Sequence, residues 1–490
     1  MIAAKGGTML ERMTHSRWVR NRYTRRVAHW VRRLYALLFG PDGLEQAGTH
    51  GASAPAMPAW LHEEMLTLAA LEPELLPPGS GVDRYAFYAV PMDVAPGRVF
   101  DAVSQAIGSL PYSHVLLIPW LKQGGADRGI LYHCNAIVES NAKARILVLS
   151  TENATSPWAS RLPPQATHVD FGGLCASLDF NQQVAVMTRV LVQLRAPLVH
   201  LVNSRVGWEM ILRHGLALTQ HSRIYASIFC DDYDQRMNPV GYARDYLRYC
   251  YPYLSAVICD NSCYPRIWTR ELGIPASLFT VVPFPYDGTL PEAADVARSA
   301  DSAARVLWAG RLDRQKRPDL LAAIAAQMPD VQFDVYGAQV MSGAAGQDLQ
   351  RLRSLANVTL HGEFNRLEAV ASSEHFAYLH TTAWEGTPTI LFDVAAARLP
   401  ICAAAVGGIV DFLATQDMVA VADDVDGFVQ ELGRLRASAA LRNARVKRQV
   451  ESLRRDRGWS DFRQRLRELD GYLTSDTAAQ HKSQMDGTQE

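Results

Sequence analysis

Residues 305–318 read Arg305-Val306-Leu307-Trp308-Ala309-Gly310-Arg311-Leu312-Asp313-Arg314-Gln315-Lys316-Arg317-Pro318. A short apolar run stops at a glycine, a cationic loop follows, and Pro318 stands where a helix would start. Proline is favoured at the first helical position because its missing N–H would have no partner there. The stretch is one strand–loop–helix unit, and such units recur along the chain. Apolar runs are expected as strands at residues 114–119, 146–150, 198–202, 223–229, 256–259 and 279–282, and again at 305–308, 332–336, 358–360, 377–380, 400–403 and 418–421. Helical patterns such as 181–194 and 318–328 separate them. Strand–helix alternation implies parallel sheets with helices on both faces. It occurs twice, with a Pro- and Gly-containing break near residues 283–302, so the fold class predicted is α/β, with two doubly wound Rossmann-like domains facing a cleft.

The rest of the chain sorts around this body. Residues 1–58 are predicted as a basic amphipathic helix with a small-residue linker, 59–288 as the N-terminal domain, 289–302 as the interdomain linker, 303–472 as the C-terminal domain, and 473–490 as a polar, disordered tail. The whole chain has 490 residues and a formal net charge of -1. That balance is uneven, because residues 1–40 hold nine basic side chains against Glu11 alone. A basic arm on a mildly acidic body argues against a nucleic-acid-coating protein. Apolar positions between Arg17 and Phe39 recur at steps of three and four among arginines, which fits a helix lying on an anionic membrane surface as well as one docked on a body. No apolar run reaches the ~18 residues of a membrane span. Seven cysteines without a CxxC pair fit reduced thiols, and a cytoplasmic location, peripheral at most, is expected.

Two segments carry chemistry. In the first, cations precede a helix start, which becomes favourable when an anion lies between them, so Arg311 and Lys316 are candidate diphosphate ligands after Gly310. The second is Trp384-Glu385-Gly386-Thr387-Pro388-Thr389-Ile390-Leu391-Phe392-Asp393. Here Thr387 is expected to cap a helix that Pro388 begins, leaving amides from Gly386 to Thr389 to face an anion. Asp393 falls in an otherwise apolar helix, where a carboxylate needs a partner; sugar or ribose hydroxyls and a structural ion pair both qualify. Gly407-Gly408 and Gly124-Gly125 follow strands and would allow a close backbone approach to a ligand. Neither a GxGxxG fingerprint nor a Walker loop is present. The Asp-x-Asp spacing at Asp232 and Asp234 suggests a metal, but the cations already supply the positive charge.

In combination these segments resemble the retaining glycosyltransferases of family 4, the group 1 glycosyltransferases with the two-domain GT-B fold. The match is best over 303–425, where the loop with Arg311 and Lys316, the strand end Tyr336-Gly337, His361-Gly362 and the Glu385-to-Asp393 segment occur in the family's order. The resemblance implies that Arg311 and Lys316 bind the nucleotide diphosphate, that Glu385 contacts the donor sugar, and that Gly310, Gly337, Gly386, Thr387, Pro388, Thr389 and Asp393 line the donor. Asp393 stands where the family has glutamate, one methylene longer. On the acceptor side it implies Gly124, Gly125, His200 and Asp231, with a core role for His200 as the alternative. The activity implied is retaining transfer from a nucleotide sugar to a glycan or lipid-linked hydroxyl in surface polysaccharide synthesis, with no metal or other cofactor and no nucleic acid partner. A sugar-nucleotide epimerase, a phosphorylase or a non-catalytic scaffold of the same fold are the other readings.

Overall fold

The computed structural model describes residues 59–71, 94–290, 297–299, 303–337 and 345–473. The expected basic helix, the linker to residue 58, most of the 289–302 linker and the tail beyond 473 lie outside the described residues. The chain divides into two compact units, 1–93 and 94–490. The described part of the first is one helix, Ala59–Leu71, with Leu66, Leu68 and Leu71 exposed. The domain boundary drawn at residue 59 is therefore corrected: the unit that holds the sheets begins at Val94, with the helix Val94–Ile107.

The first sheet comprises β1 (His114–Ile118), β2 (Ile146–Ser150), β3 (Ala166–Asp170), β4 (Leu198–Val202) and β5 (Arg223–Ser227). A two-residue hairpin, β6 (Asp232–Tyr233) with β7 (Pro239–Val240), stands apart, and β8 (Ala256–Cys259) and β9 (Phe279–Val281) complete the sheet. Its order is β3-β2-β1-β4-β5-β8-β9, all parallel. The second sheet contains β10 (Arg305–Ala309), β11 (Gln332–Tyr336), β12 (Val358–Gly362), β13 (His375–His380), β14 (Ile401–Ala404) and β15 (Met418–Val419), in the order β12-β11-β10-β13-β14-β15. Both sheets reverse winding beside their first strand, at β1/β4 and β10/β13. Open parallel sheets bind ligands at such switch points, outside the carboxyl ends of the strands.

Helices on both faces explain the strand sequences. Strands β1, β2 and β4 are buried at every position, so they read as unbroken apolar runs rather than alternating ones. Besides the short β6–β7 hairpin, the strand not expected from sequence is β3, Ala-Thr-His-Val-Asp, an edge strand with Val169 alone buried. In the second sheet Asp334 of β11 is buried among Arg305, His361 and His375, at 2.6, 2.7 and 3.0 Å. Burial alone would raise its pKa, but the hydrogen bonds from His375, Arg305 and His361 hold it far below the ordinary range.

The chain end crosses back to the first sheet's domain, which corrects the boundary at 472. Helix Trp459–Arg467 and the residues to 473 carry Phe462, Leu466, Leu469 and Tyr472 at steps of three or four, an apolar stripe that needs a partner. It finds one on helix Gly125–Ser140, where Trp459 and Phe462 pack on Tyr132. The Trp459 indole donates to Glu139 at 2.8 Å. The Tyr472 hydroxyl lies 2.8 Å from Nδ1 of both His133 and His200, and its carbonyl 2.9 Å from His114 Nε2. His200 is wholly buried and its other nitrogen meets Ser227 Oγ at 2.8 Å, so it is a core histidine that anchors the chain end.

Burial pushes His133 down to about 3. The unfolded chain binds this proton at the ordinary 6.5, so below that pH the unfolded state holds more protons and stability falls as pH falls. In urea titrations between pH 6 and 4, His133→Gln is expected to flatten that fall by up to about 1.4 kcal/mol per pH unit. An unchanged slope would mean that the ring titrates freely in the fold. Tyr472→Phe removes the partner of two buried rings, and a loss of about 1–3 kcal/mol is expected.

Candidate functional site

Two loops at the carboxyl ends of β10 and β13 form the centre of the site. After β10, the Gly310 amide donates to the Tyr336 carbonyl at 3.0 Å, and Gly337 crosses directly over it. Gly337 has φ +137°, and a Cβ there would lie 1.8 Å from the Gly310 carbonyl oxygen, so no other residue fits. The loop then turns on Asp313, whose carboxylate and carbonyl both accept the Lys316 amide at 3.1 Å. This turn sends the Lys316 side chain inward, to a direct ion pair with Glu385. Both are well shielded, at 13% and 15% exposure. Thr382 Oγ1 approaches the same carboxylate oxygen at 3.4 Å, and His380 Nε2 lies 3.9 Å from it.

The Glu385 backbone is fixed from beneath. Gly407, at φ +51°, passes so close that a Cβ would lie 1.8 Å from the Glu385 carbonyl oxygen, and the Gly408 amide donates to the Gly386 carbonyl at 3.0 Å. The Gly407-Gly408 pair, expected to admit a ligand, thus admits the catalytic-loop candidate itself.

The helix start expected at Thr387 is corrected. The helix runs Ile390–Ala396, with Thr389 rather than Thr387 at its N-cap position and no side-chain cap. Thr387 is occupied otherwise: its amide donates to the Asp260 carboxylate at 2.8 Å and its hydroxyl to the Asp260 carbonyl at 2.8 Å. With Pro388 lacking an N–H, the expected row of free amides is broken. Positive charge for an anion comes from side chains instead. Arg311 is half exposed, at 51%, and held by Asp313 at 3.2 Å and Gln315 at 2.6 Å.

Asp260 follows β8, so its bond to Thr387 joins the two domains. Three further contacts do the same. Arg128 pairs with Asp393 at 3.3 Å. Gly125 faces Thr389, whose hydroxyl would lie 3.3 Å from a Cβ there. Arg314 donates to the Tyr233 and Asp234 carbonyls of the β6–β7 hairpin and lies over the Trp384 ring. Burial raises Asp260 to about 7 against the pull of the Thr387 amide and Asn261, and raises Asp393 to about 6 against that of Arg128. A cavity of about 400 Å³ beside the Arg128–Asp393 pair is lined by Tyr132, Tyr286, Asp287 and Trp459 among others.

Of the residues singled out from sequence, Lys316, Glu385, Gly386, Thr387, Thr389, Asp393 and Gly125 meet at this seam. Gly310 and Gly337 support it from behind. Gly124 abuts Asp127, whose carboxylate accepts the Lys122 amide at 2.8 Å and so shapes the glycine turn. Asp231 is corrected: it is buried, paired with Arg244 at 2.5 Å and accepting from the Trp268 indole at 2.8 Å, a structural carboxylate rather than an acceptor ligand. Asp234 closes its own turn, accepting the Arg236 and Asn238 amides at 2.8 and 2.9 Å. Sequence reading passed over Asp260 and His380. The signal for Asp260 was present, an Asp-Asn-Ser run directly after a buried strand.

Residues 303–438, which hold the second sheet, match the family model described as Glycosyl transferases group 1. No curated protein matches the chain at significance. Among solved structures, the chain is similar to sucrose-phosphate synthase from Thermosynechococcus elongatus, with TM-score 0.57 and 16% identity over 73% of this chain and 98% of that one. It is similar to the apo form of the lipopolysaccharide outer core galactosyltransferase WaaB, with TM-score 0.54 and 16% identity over 72% and 99%. It is also similar to HepE of Anabaena in complex with UDP and glucose, with TM-score 0.53 and 15% identity over 73% and 98%. At these identities the likeness establishes the GT-B fold.

The Asp260–Thr387 contact is testable by itself. Asp260→Ala leaves a buried N–H without an acceptor, at a cost of about 1–3 kcal/mol in chemical denaturation. Asp260→Asn keeps an acceptor and should lose less. Equal stability of Asp260→Ala and the native chain would show that the bond does not form in solution.

Proposed function

We propose that this chain is a glycosyltransferase that moves a sugar from a nucleoside diphosphate donor to a hydroxyl acceptor, with retention at the anomeric carbon. The observation that carries the reading is the shielded Lys316–Glu385 ion pair, formed by two loops of the group 1 domain at the switch point of its sheet. A buried pair is costly to assemble and is weak evidence for stability. Its cation is instead well placed to turn to a diphosphate. As the glycosidic bond breaks, negative charge grows on the leaving phosphate, and Lys316 and Arg311 stabilise it there. Preorganised charges of this kind are worth about 10²–10³ in rate apiece. Glu385 orients the sugar hydroxyls, and Asp393, across from Arg128, receives the ribose.

The acceptor lies on the N-terminal side of the seam, near the turn at Gly124-Gly125. A glycan or lipid-linked hydroxyl in surface polysaccharide synthesis is the proposed class, in keeping with the similarity to a lipopolysaccharide outer core galactosyltransferase. No metal takes part in the proposal, since the two cations supply the charge.

A thermal-shift screen of UDP, GDP, ADP, CDP and their sugar conjugates tests the reading, with UDP first because HepE is known with it. A ligand at 100 times its Kd stabilises by about 2.7 kcal/mol. No shift from any of them would sink the proposal. Glu385→Ala is expected to lower turnover at least about 100-fold in a chain that still folds, with some loss of stability because Lys316 is left without its shielded partner. Lys316→Ala should weaken nucleoside diphosphate affinity about tenfold or more, and unchanged affinity would remove Lys316 from the diphosphate site.

A further inference from the structure

His380 closes β13 beneath the Lys316–Glu385 pair. Its ring is buried, with 3% of the residue exposed, and stacks on Tyr378. Its Nε2 is buried with no hydrogen-bond partner. A buried ring nitrogen without a partner is rare in native folds and calls for a reason. Glu385 Oε2 faces it at 3.9 Å, just beyond hydrogen-bond reach. That oxygen is already taken by the Lys316 ammonium, with Thr382 Oγ1 at 3.4 Å.

The proposed reaction asks Lys316 to serve a diphosphate, and so to leave Glu385. Until a sugar hydroxyl reaches it, the shielded carboxylate then keeps, among the described residues, the Thr382 hydroxyl at 3.4 Å, and a poorly partnered buried charge is strongly disfavoured. We propose that His380 is a positioning residue for Glu385: when a diphosphate draws Lys316 away, the His380 Nε2–H takes the released carboxylate and holds it on the donor side. The vacancy at Nε2 before the ligand arrives is the counterpart of the bond made afterwards. Burial and the neighbouring Lys316 charge both favour the neutral ring, which has one N–H to give. The inference rests on the transferase reading and on the Lys316 role in it.

The test is a binding cycle that separates pairing with Glu385 from general damage. UDP, GDP and ADP are titrated by calorimetry into the full chain, into His380→Phe, into Glu385→Gln and into the double variant. In His380→Phe the ring stack survives but the donor is gone, so the tightest of the three nucleotides should bind about tenfold more weakly. In the Glu385→Gln background no charge is stranded, and the same change should alter affinity less than about twofold. His380→Gln restores an N–H donor and should recover most of the loss. Weakening of equal size in both backgrounds would assign His380 a merely structural role and overturn the proposal, as would no weakening in either. A native chain that binds none of the three nucleotides would instead overturn the transferase reading itself, and this inference with it.

Discussion

The bond between the Asp260 carboxylate and the Thr387 amide is the constraint on which the site depends. It ties the end of β8 in the first sheet to the loop after β13 in the second, two residues beyond Glu385. The carboxylate is 3% exposed, and a buried acceptor must keep its donors. Asn261 donates to the other oxygen at 2.6 Å, and its own Oδ1 accepts the Cys263 and Tyr264 amides at 3.1 Å, so the carboxylate is held by a helix start that cannot easily move. One domain therefore sets the backbone position of the loop that carries Glu385 in the other. Ser262, next in sequence, extends the seam by donating its amide and hydroxyl to Asp411 at 2.6 and 2.7 Å.

Glycine supplies the rest of the precision. Gly337 over Gly310, and Gly407 over Glu385, are crossings of backbone on backbone in which any side chain would collide. Because the carbonyls beneath are fixed by these crossings, Lys316 and Glu385 are presented from loops without being free to wander. The ion pair between them is the consequence. Two side chains of opposite charge, each on a pinned loop and each shielded, are thereby held against one another.

Much of the fold was legible because parallel strands covered on both faces must be apolar throughout, and strands such as β1, β2, β4 and β8 therefore stood out as runs. The edge strand β3 did not, since three of its five residues are polar and Val169 alone is buried. The chemistry was legible where residue types are rare in context: Glu385 before a glycine, Lys316 before a proline-led helix, Asp393 among alanines. What escaped was pairing between residues distant in sequence. Nothing near His200 announced Tyr472, 272 positions later, or near Thr387 announced Asp260. Asp231 misled for the same reason, its partners Arg244 and Trp268 being invisible as partners until the fold brought them together.

Asp393 shows how a small departure can be absorbed by the opposite domain. Its carboxylate is one methylene shorter than a glutamate would be, and burial opposes its charge so strongly that its pKa stands at about 6 even with the help of a cation. Arg128 provides that help from the first turns of the helix Gly125–Ser140, the same helix whose leading glycine abuts Thr389. A longer side chain at 393 would press on the guanidinium at 3.3 Å unless the helix withdrew, and withdrawal would open the Gly125–Thr389 contact. The short carboxylate and the close approach of the two domains are in this sense one feature. On the proposed reaction, a ribose that hydrogen-bonds to Asp393 enters beside Arg128 and meets both domains at once, so that binding of the donor and the closed arrangement of the seam favour each other.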